Sequence, residues 1–226
     1  MIGDLNLSFK LMTYGLQFKM SVICASIFVL LGFIMDIVAH TTNSIISAYY
    51  LFGMVFAAQL ISTLNASQMV QSSPYKKKLQ TRMMTITCMF IEFVSVTVML
   101  IVKAVIYYNV EDRRVYVINS ILIVSAMILV FNLYMIGATK FYWIATILFM
   151  IVFMGFFVFI MRSTFQSISH GVNTEQTVPV VSFPIAVLIC YGAILLGGGL
   201  IYLLSTLFYR REYSKMMFKA ALERAK

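Results

Sequence analysis

Six long apolar runs constrain the fold of this chain more than any other feature. They lie at about residues 20–39, 45–63, 83–108, 116–137, 141–161 and 184–208. A helix needs roughly 20 apolar residues to cross the hydrocarbon of a bilayer. Strands of a membrane barrel would alternate apolar and polar side chains, whereas runs such as 141–161 are apolar on all sides. The pattern predicts an all-α, polytopic membrane protein with six transmembrane helices.

The composition excludes most soluble classes. Of the 226 residues, 62% are hydrophobic and 11% are charged, against about 25% charged in a typical soluble domain. A soluble fold of this length could not bury so much apolar surface. The net charge of +9 comes from bases at the ends of the apolar runs, where they meet anionic headgroups. We therefore expect a single transmembrane domain over residues 1–226, with lipids and not nucleic acid as partners.

The distribution of lysine and arginine predicts the orientation. If both termini are cytoplasmic, 13 of these bases lie on the cytoplasmic side and 4 on the other. Because positive residues are retained on the cytoplasmic side of membranes, this arrangement is favoured. It places a loop at residues 64–82 and a basic tail at 209–226 in the cytoplasm.

Two terminal segments and one loop have their own patterns. Leu5, Phe9, Met12 and Leu16 recur at helical spacing, which predicts an amphipathic interfacial helix over residues 1–19. The tail at 209–226 carries a weaker stripe, and a simple basic stop explains it as well. The external loop at 162–183 could form short re-entrant helices or an ordinary exposed loop.

Motifs for catalysis or metal binding do not occur in the sequence. There is no GxxxxGK[ST] phosphate loop, no HExxH and no CxxC. The two histidines, His40 and His170, fall in predicted external loops, and no GxS-type serine elbow faces either of them. We therefore expect no enzyme activity and no catalytic, cofactor-binding or metal-binding residues in this chain.

Polar residues inside the apolar runs are candidate functional groups, because charges in hydrocarbon are costly. Glu92 could line a pathway, bind a cation, or be hydrogen-bonded inside the bundle. Interhelical hydrogen bonds are expected of the amides Gln59, Asn119 and Asn132. Asp36 and Lys103 lie close to the ends of their runs, so snorkelling to the interface is the expected behaviour of both. The triplet Gly197–Gly199 predicts close helix packing or a flexible point.

The polar segment between the second and third runs carries dense positive charge. Its sequence is Gln-Ser-Ser-Pro-Tyr-Lys-Lys-Lys-Leu-Gln-Thr-Arg, from residue 71 to residue 82. Pro74 can begin a short basic helix, since proline is tolerated in a first helical turn. Two interpretations stay open: a surface helix that contacts a soluble partner, or charge that only sets topology.

The overall layout resembles the permease subunit of an ABC-2 type ATP-binding cassette exporter. That resemblance covers nearly the full length and depends on the entry segment, the six spans, the short helix before the third span and the outer loop. It implies that residues 64–82 form a coupling loop whose contacts with a separate ATPase are Pro74, Tyr75, Lys76, Lys77, Lys78 and Arg82. ATP and Mg would be held by that ATPase, with no cofactor in this chain.

The same resemblance implies a second permease copy, in a homodimer or heterodimer, in the bacterial plasma membrane. The short outer loop favours a small peptide, lipid or hydrophobic compound as substrate. Two other functions remain in view. One is a non-transport membrane scaffold or immunity protein, and the other is an ion-coupled secondary carrier that uses Glu92.

Overall fold

The computed structural model describes residues 6–7, 9–10, 13, 18–38, 47, 49–51, 68–141, 143–152, 154–155, 158 and 181–210. Within these residues every regular element is helical, which confirms the all-α prediction. Gln59 and most of residues 1–19, 45–63, 162–183 and 209–226 lie outside the described part, so the predictions for them stay predictions.

Five helices dominate the described part: α1 (Phe18–Ile37), α2 (Met84–Asn109), α3 (Arg114–Lys140), α4 (Trp143–Val152) and α5 (Phe183–Leu207). Among the described residues, four helical segments are long and apolar enough to cross a membrane: Phe18–Ile37, Lys76–Asn109, Glu111–Gly137 and Phe183–Leu207. They lie in the first, third, fourth and sixth apolar runs. The ten-residue α4 lies in the fifth.

The outside of the bundle is apolar. Leu188 and Leu195 on α5 are 70% and 66% exposed, and Ile101 on α2 is 60% exposed. Transfer of such apolar side chains from water into hydrocarbon lowers the free energy. The exposed surface therefore fits a lipid environment.

A tight connection joins α2 to α3. Val110 adopts an extended conformation that ends α2, and a single 3-10 turn at Glu111–Arg113 leads into α3. Arg114 pairs with Glu111 at 3.0 Å on the exposed side of this turn. The two helices are antiparallel neighbours, and we call this end of the bundle the hairpin end (residues 109–114).

The opposite end carries a cluster of basic residues, and we call it the basic end (residues 76–82 and Lys140). A recess there brings together the start of α2, the end of α3 and the end of α5. At the hairpin end, the ring of Phe183 at the start of α5 stacks on Tyr107, with 4.6 Å between ring centroids. Hence α2 runs toward the hairpin end, and α3 and α5 run away from it.

A stripe of α3 forms the centre of the core. Val117, Ile121, Val124 and Ile128 follow helical spacing and are each fully buried. They belong to one apolar cluster with residues of α2 and α5 at the hairpin end. A second cluster at the basic end contains Met84, Cys88, Met135, Ile136 and Ile201.

Two glycines of α5 allow close approach to its neighbours. A Cβ at Gly197 would collide with the Asn132 side chain of α3, and a Cβ at Gly198 would collide with Met89 of α2. At Gly199 a Cβ would meet nothing within 4 Å. The first two glycines thus let α5 pack against both α2 and α3, as the sequence predicted for the triplet.

We expect Gly197→Ala to lower the thermal unfolding temperature in detergent, because overpacking a close helix contact costs about 1–3 kcal/mol. Gly199→Ala is the matched control. It should be neutral or slightly stabilising, since alanine has the higher helix propensity. Equal unfolding temperatures for the two variants would contradict a packing function of Gly197.

Candidate functional site

A buried ion pair joins α1 to α2 at the hairpin end of the bundle. Lys103 Nζ donates a hydrogen bond to Asp36 Oδ1 over 2.8 Å, and both side chains are 0% exposed. Lys103 Nζ also donates to the hydroxyl of Tyr116 on α3 over 3.0 Å. That hydroxyl in turn donates to Asp36 Oδ1 over 2.9 Å. These three side chains, which we call the charge cluster, connect three helices through one carboxylate oxygen.

Further groups surround the charge cluster. Arg113 Nη1 donates to the backbone carbonyl of Asp36 over 3.0 Å, which satisfies an acceptor at the C-terminal end of α1. The Lys103 ammonium lies 4.4 Å from the centroid of the Tyr116 ring, and the Arg113 guanidinium lies 5.2 Å from it. Both cations are thus stabilised by one aromatic ring as well as by oxygen atoms.

Tyr50 lies beside the Asp36 carboxylate and Ser47 lies beside Tyr116, and both are almost completely buried, with 1% and 0% exposed. Gly32, one turn before Asp36, makes room for Tyr50, since a Cβ there would lie 3.0 Å from its ring. Tyr50 is close enough to Asp36 to interact electrostatically. Neither its hydroxyl, nor Ser47 Oγ, nor Asp36 Oδ2 makes a hydrogen bond of acceptable geometry within the described residues.

The expectation that Asp36 and Lys103 snorkel to the interface is wrong. Each side chain is buried because it meets an opposite charge on a neighbouring helix, so neither has to reach water. The two residues are 67 positions apart, and a single sequence does not show that they meet. The sequence does show an acidic residue near the end of the first apolar run and a basic residue near the end of the third, both on the same predicted side of the membrane.

A second polar contact lies between α2 and α3 nearer the middle of the bundle. Asn132 Nδ2 donates to Glu92 Oε2 over 3.3 Å, and these residues are 1% and 2% exposed. The absence of a side chain at Gly197 leaves the space that Asn132 fills. Glu92 therefore faces the bundle interior, one of the placements that the sequence left open. Asn119, in contrast, lies on the exposed side of α3.

The proposed coupling residues form the start of a long helix. Lys76–Lys78 is helical, Leu79–Met83 forms a π-helical turn, and the helix continues into α2. The whole segment Lys76–Asn109 is 34 residues long. The exposed residues at the start of this helix and in the turn before it are Pro74, Tyr75, Lys77, Lys78 and Arg82. Lys76 is half-buried.

Lys140 lies at the basic end, beyond the apolar part of α3. Burial, together with repulsion from Lys76, lowers the pKa of Lys140 to about 8. The nearby Lys77 ammonium lies 6.0 Å from the centroid of the Tyr209 ring. Bases from two parts of the chain, together with Tyr209 beyond the end of α5, thus lie at one end of the bundle.

The recess beside Lys140 is too small for an organic substrate. Its internal volume is about 10 Å³, on the order of one water molecule. It is lined by Gln80, Met84, Ile136, Thr139, Lys140, Ser205, Phe208 and Tyr209.

Neither a metal site nor a known relative assigns a function to these groups. Within the described residues, no three of the histidine, cysteine, aspartate and glutamate side chains are grouped to hold a metal ion. Comparison with protein-family models, curated proteins and solved structures found no match to this chain. The geometry of the charge cluster, of Glu92 and of the basic end is therefore the basis for any functional argument.

Single substitutions in the charge cluster should destabilise the protein strongly. Asp36→Leu or Lys103→Met alone leaves the partner buried and uncompensated, at a cost of about 3–5 kcal/mol. The double variant Asp36→Leu/Lys103→Met should recover most of that loss, because an apolar pair needs no desolvation of charge. Thermal unfolding in detergent measures the difference. Additive losses in the double variant would contradict coupling between the two residues.

Proposed function

We propose that this chain is the permease subunit of an ATP-binding cassette exporter, powered by a separate ATPase subunit that holds ATP and Mg. The observation that carries this proposal is the exposed basic end of a long helix. Tyr75 is 68% exposed, and Lys77 and Lys78 are exposed beside it. An exposed aromatic ring next to cations at the start of a long helix suits docking to a soluble protein.

The same helix offers a route for mechanical coupling. From Lys76 to Asn109 it is continuous over 34 residues, or about 50 Å at 1.5 Å per residue. A partner that moves Lys77 would therefore also move Lys103 in the charge cluster. The π-helical turn at Leu79–Met83 lies between them, and such turns are frequent at functional sites.

Six transmembrane helices with both termini on one side fit the directions of the described helices. Asp36 at the end of α1 meets Lys103 near the end of α2, so these helices are parallel and the chain returns between them. α3 and α5 are also parallel, and the chain returns there too. The ring of Phe149 on α4 lies 4.4 Å from that of Tyr134, as expected of a helix that turns back along α3.

The charge distribution supports a cytoplasmic location of the basic end in a bacterial plasma membrane. The recess at the basic end is too small for a peptide or lipid. The proposed substrate path involves a second permease copy. The proposed substrate is a small peptide, lipid or hydrophobic compound.

Replacing the exposed docking residues should reduce coupling to the ATPase. We expect Tyr75→Ala/Lys77→Ala/Lys78→Ala to reduce permease-dependent stimulation of MgATP hydrolysis at least fivefold, because the docking surface loses its aromatic anchor and two cations. The assay uses the permease reconstituted with a co-expressed phosphate-loop ATPase encoded beside it. Tyr108→Ala, an exposed tyrosine at the hairpin end, is the matched control.

Membrane insertion of the triple variant should equal that of the parent. Unchanged stimulation by this variant would reject the docking assignment. Failure of the parent to stimulate any such ATPase would favour a membrane scaffold or immunity protein instead.

Glu92 favours a second candidate, an ion-coupled secondary carrier. Its carboxyl is buried between α2 and α3 with Asn132 as its hydrogen-bond partner. A carboxyl in this position can take up and release a proton as the helices move. The ATPase-driven permease does not require that exchange.

Glu92→Gln separates the two candidates, because glutamine keeps the contact with Asn132 but cannot titrate. We expect ATP-dependent transport to remain within about threefold of the parent for the proposed permease. For a secondary carrier, proton-driven uptake into vesicles without ATP would occur in the parent and disappear in the variant. That second result would overturn the proposal of an ATPase-driven permease.

A further inference from the structure

The attachment of α1 to the bundle differs from that of the other long helices. Of its 20 residues only Gly32 and Asp36 are buried, and both lie near the hairpin end on one face. α3 and α5, in contrast, present a buried apolar stripe to each other along most of their lengths. Within the described residues, the charge cluster is the hydrogen-bonded contact of α1 with α2 and α3, and it lies beside apolar contacts of Val29 and Ile37 with the core.

The charge cluster is also incompletely satisfied. Asp36 Oδ1 accepts from both Lys103 and Tyr116, whereas Asp36 Oδ2 has no hydrogen bond of acceptable geometry. The buried hydroxyls of Ser47 and Tyr50 also make no hydrogen bond of acceptable geometry, although Tyr50 lies close enough to interact with Asp36 and Ser47 close enough to interact with Tyr116. Polar atoms in this state cost free energy in the closed arrangement, and water would satisfy all three.

A contact that served only to hold the helices together would gain more from apolar side chains. Replacing a buried ion pair by a well-packed apolar pair is often neutral or stabilising. Charged residues at such a place suit an element with two states, one that is dry when closed and hydrated when open. The position of the cluster at the helix ends places it within reach of water on the side opposite the basic end.

We propose that Asp36, Lys103 and Tyr116 form a polar gate, which opens by separation of α1 from α2 and α3 and admits water at the hairpin end. The gate regulates the transport path of the permease and in that sense rests on the proposed function. Because α2 also carries the exposed basic end, movement there changes the distance between Lys103 and Asp36. The gate closes when the ion pair re-forms and excludes water.

Access of water to Ser120 reports on the gate. Ser120 is 0% exposed and lies one helical turn beyond Tyr116 on α3. A Ser120→Cys variant is reconstituted in lipid nanodiscs and treated with a charged maleimide, which reaches thiols only through water. The parent protein gives the background from the three native cysteines. Tyr108→Cys, at a residue that is 70% exposed, gives the rate for full access.

Two changes in the cluster should alter the labelling rate in opposite directions. Tyr116→Phe removes hydroxyl contacts that exist only in the closed state, so we expect labelling about fivefold faster. Asp36→Leu/Lys103→Met removes the advantage of hydration in the open state, so we expect labelling at least fivefold slower. Thr97→Val removes a hydroxyl contact with Tyr191 elsewhere in the bundle and should leave the rate unchanged.

A purely structural attachment gives different results. It predicts faster labelling for both variants, because each removes contacts that hold α1, so an unchanged or faster rate for the double variant would overturn the gate. If the double variant does not fold, an unchanged rate for Tyr116→Phe would overturn the gate. Labelling needs no ATPase, so a loss of ATPase coupling and a failure of the gate are read separately.

Discussion

The hydrogen-bonded ion pair between Asp36 and Lys103 is the interaction on which the arrangement of α1 depends. Within a bilayer a lone charge is costly, and the cost falls sharply only when an opposite charge and further donors are in contact with it. Lys103, Tyr116 and Arg113 supply these contacts to the side chain and backbone of Asp36. The depth and direction of α1 relative to α2 and α3 follow from this requirement.

The remainder of the bundle is held by apolar packing of a different kind. α3 presents a buried stripe from Val117 to Ile128, and α5 approaches α2 and α3 closely at Gly197 and Gly198. Such interfaces are stabilised by dispersion contacts along their length, and the same side chains would make no equivalent contacts with water. The three helices α2, α3 and α5 thus behave as one packed unit, to which α1 is joined through polar groups at the hairpin end and through apolar contacts of Val29 and Ile37.

This division fits the proposed permease. The packed unit contains the helix from Lys76 to Asn109, which connects the exposed basic end with the charge cluster. A transporter powered from one side of the membrane needs a stiff connection to the other side and a contact there that can open.

The order of the amino acids was enough to predict a helical protein whose helices suit a membrane, because each long apolar run must satisfy its own backbone hydrogen bonds in hydrocarbon. It also identified Glu92 and Asn132 as candidate intramembrane polar groups, since such residues are costly wherever they lie. The contact between Asp36 and Lys103 became visible only in the folded protein. Residues that are far apart in a chain become neighbours through helix packing. The order of charges along a single sequence does not show which of them will be close in space. For the same reason, Glu92 and Asn132 were recognised separately, but their contact, and the space left for it by Gly197, came from the packing of three helices.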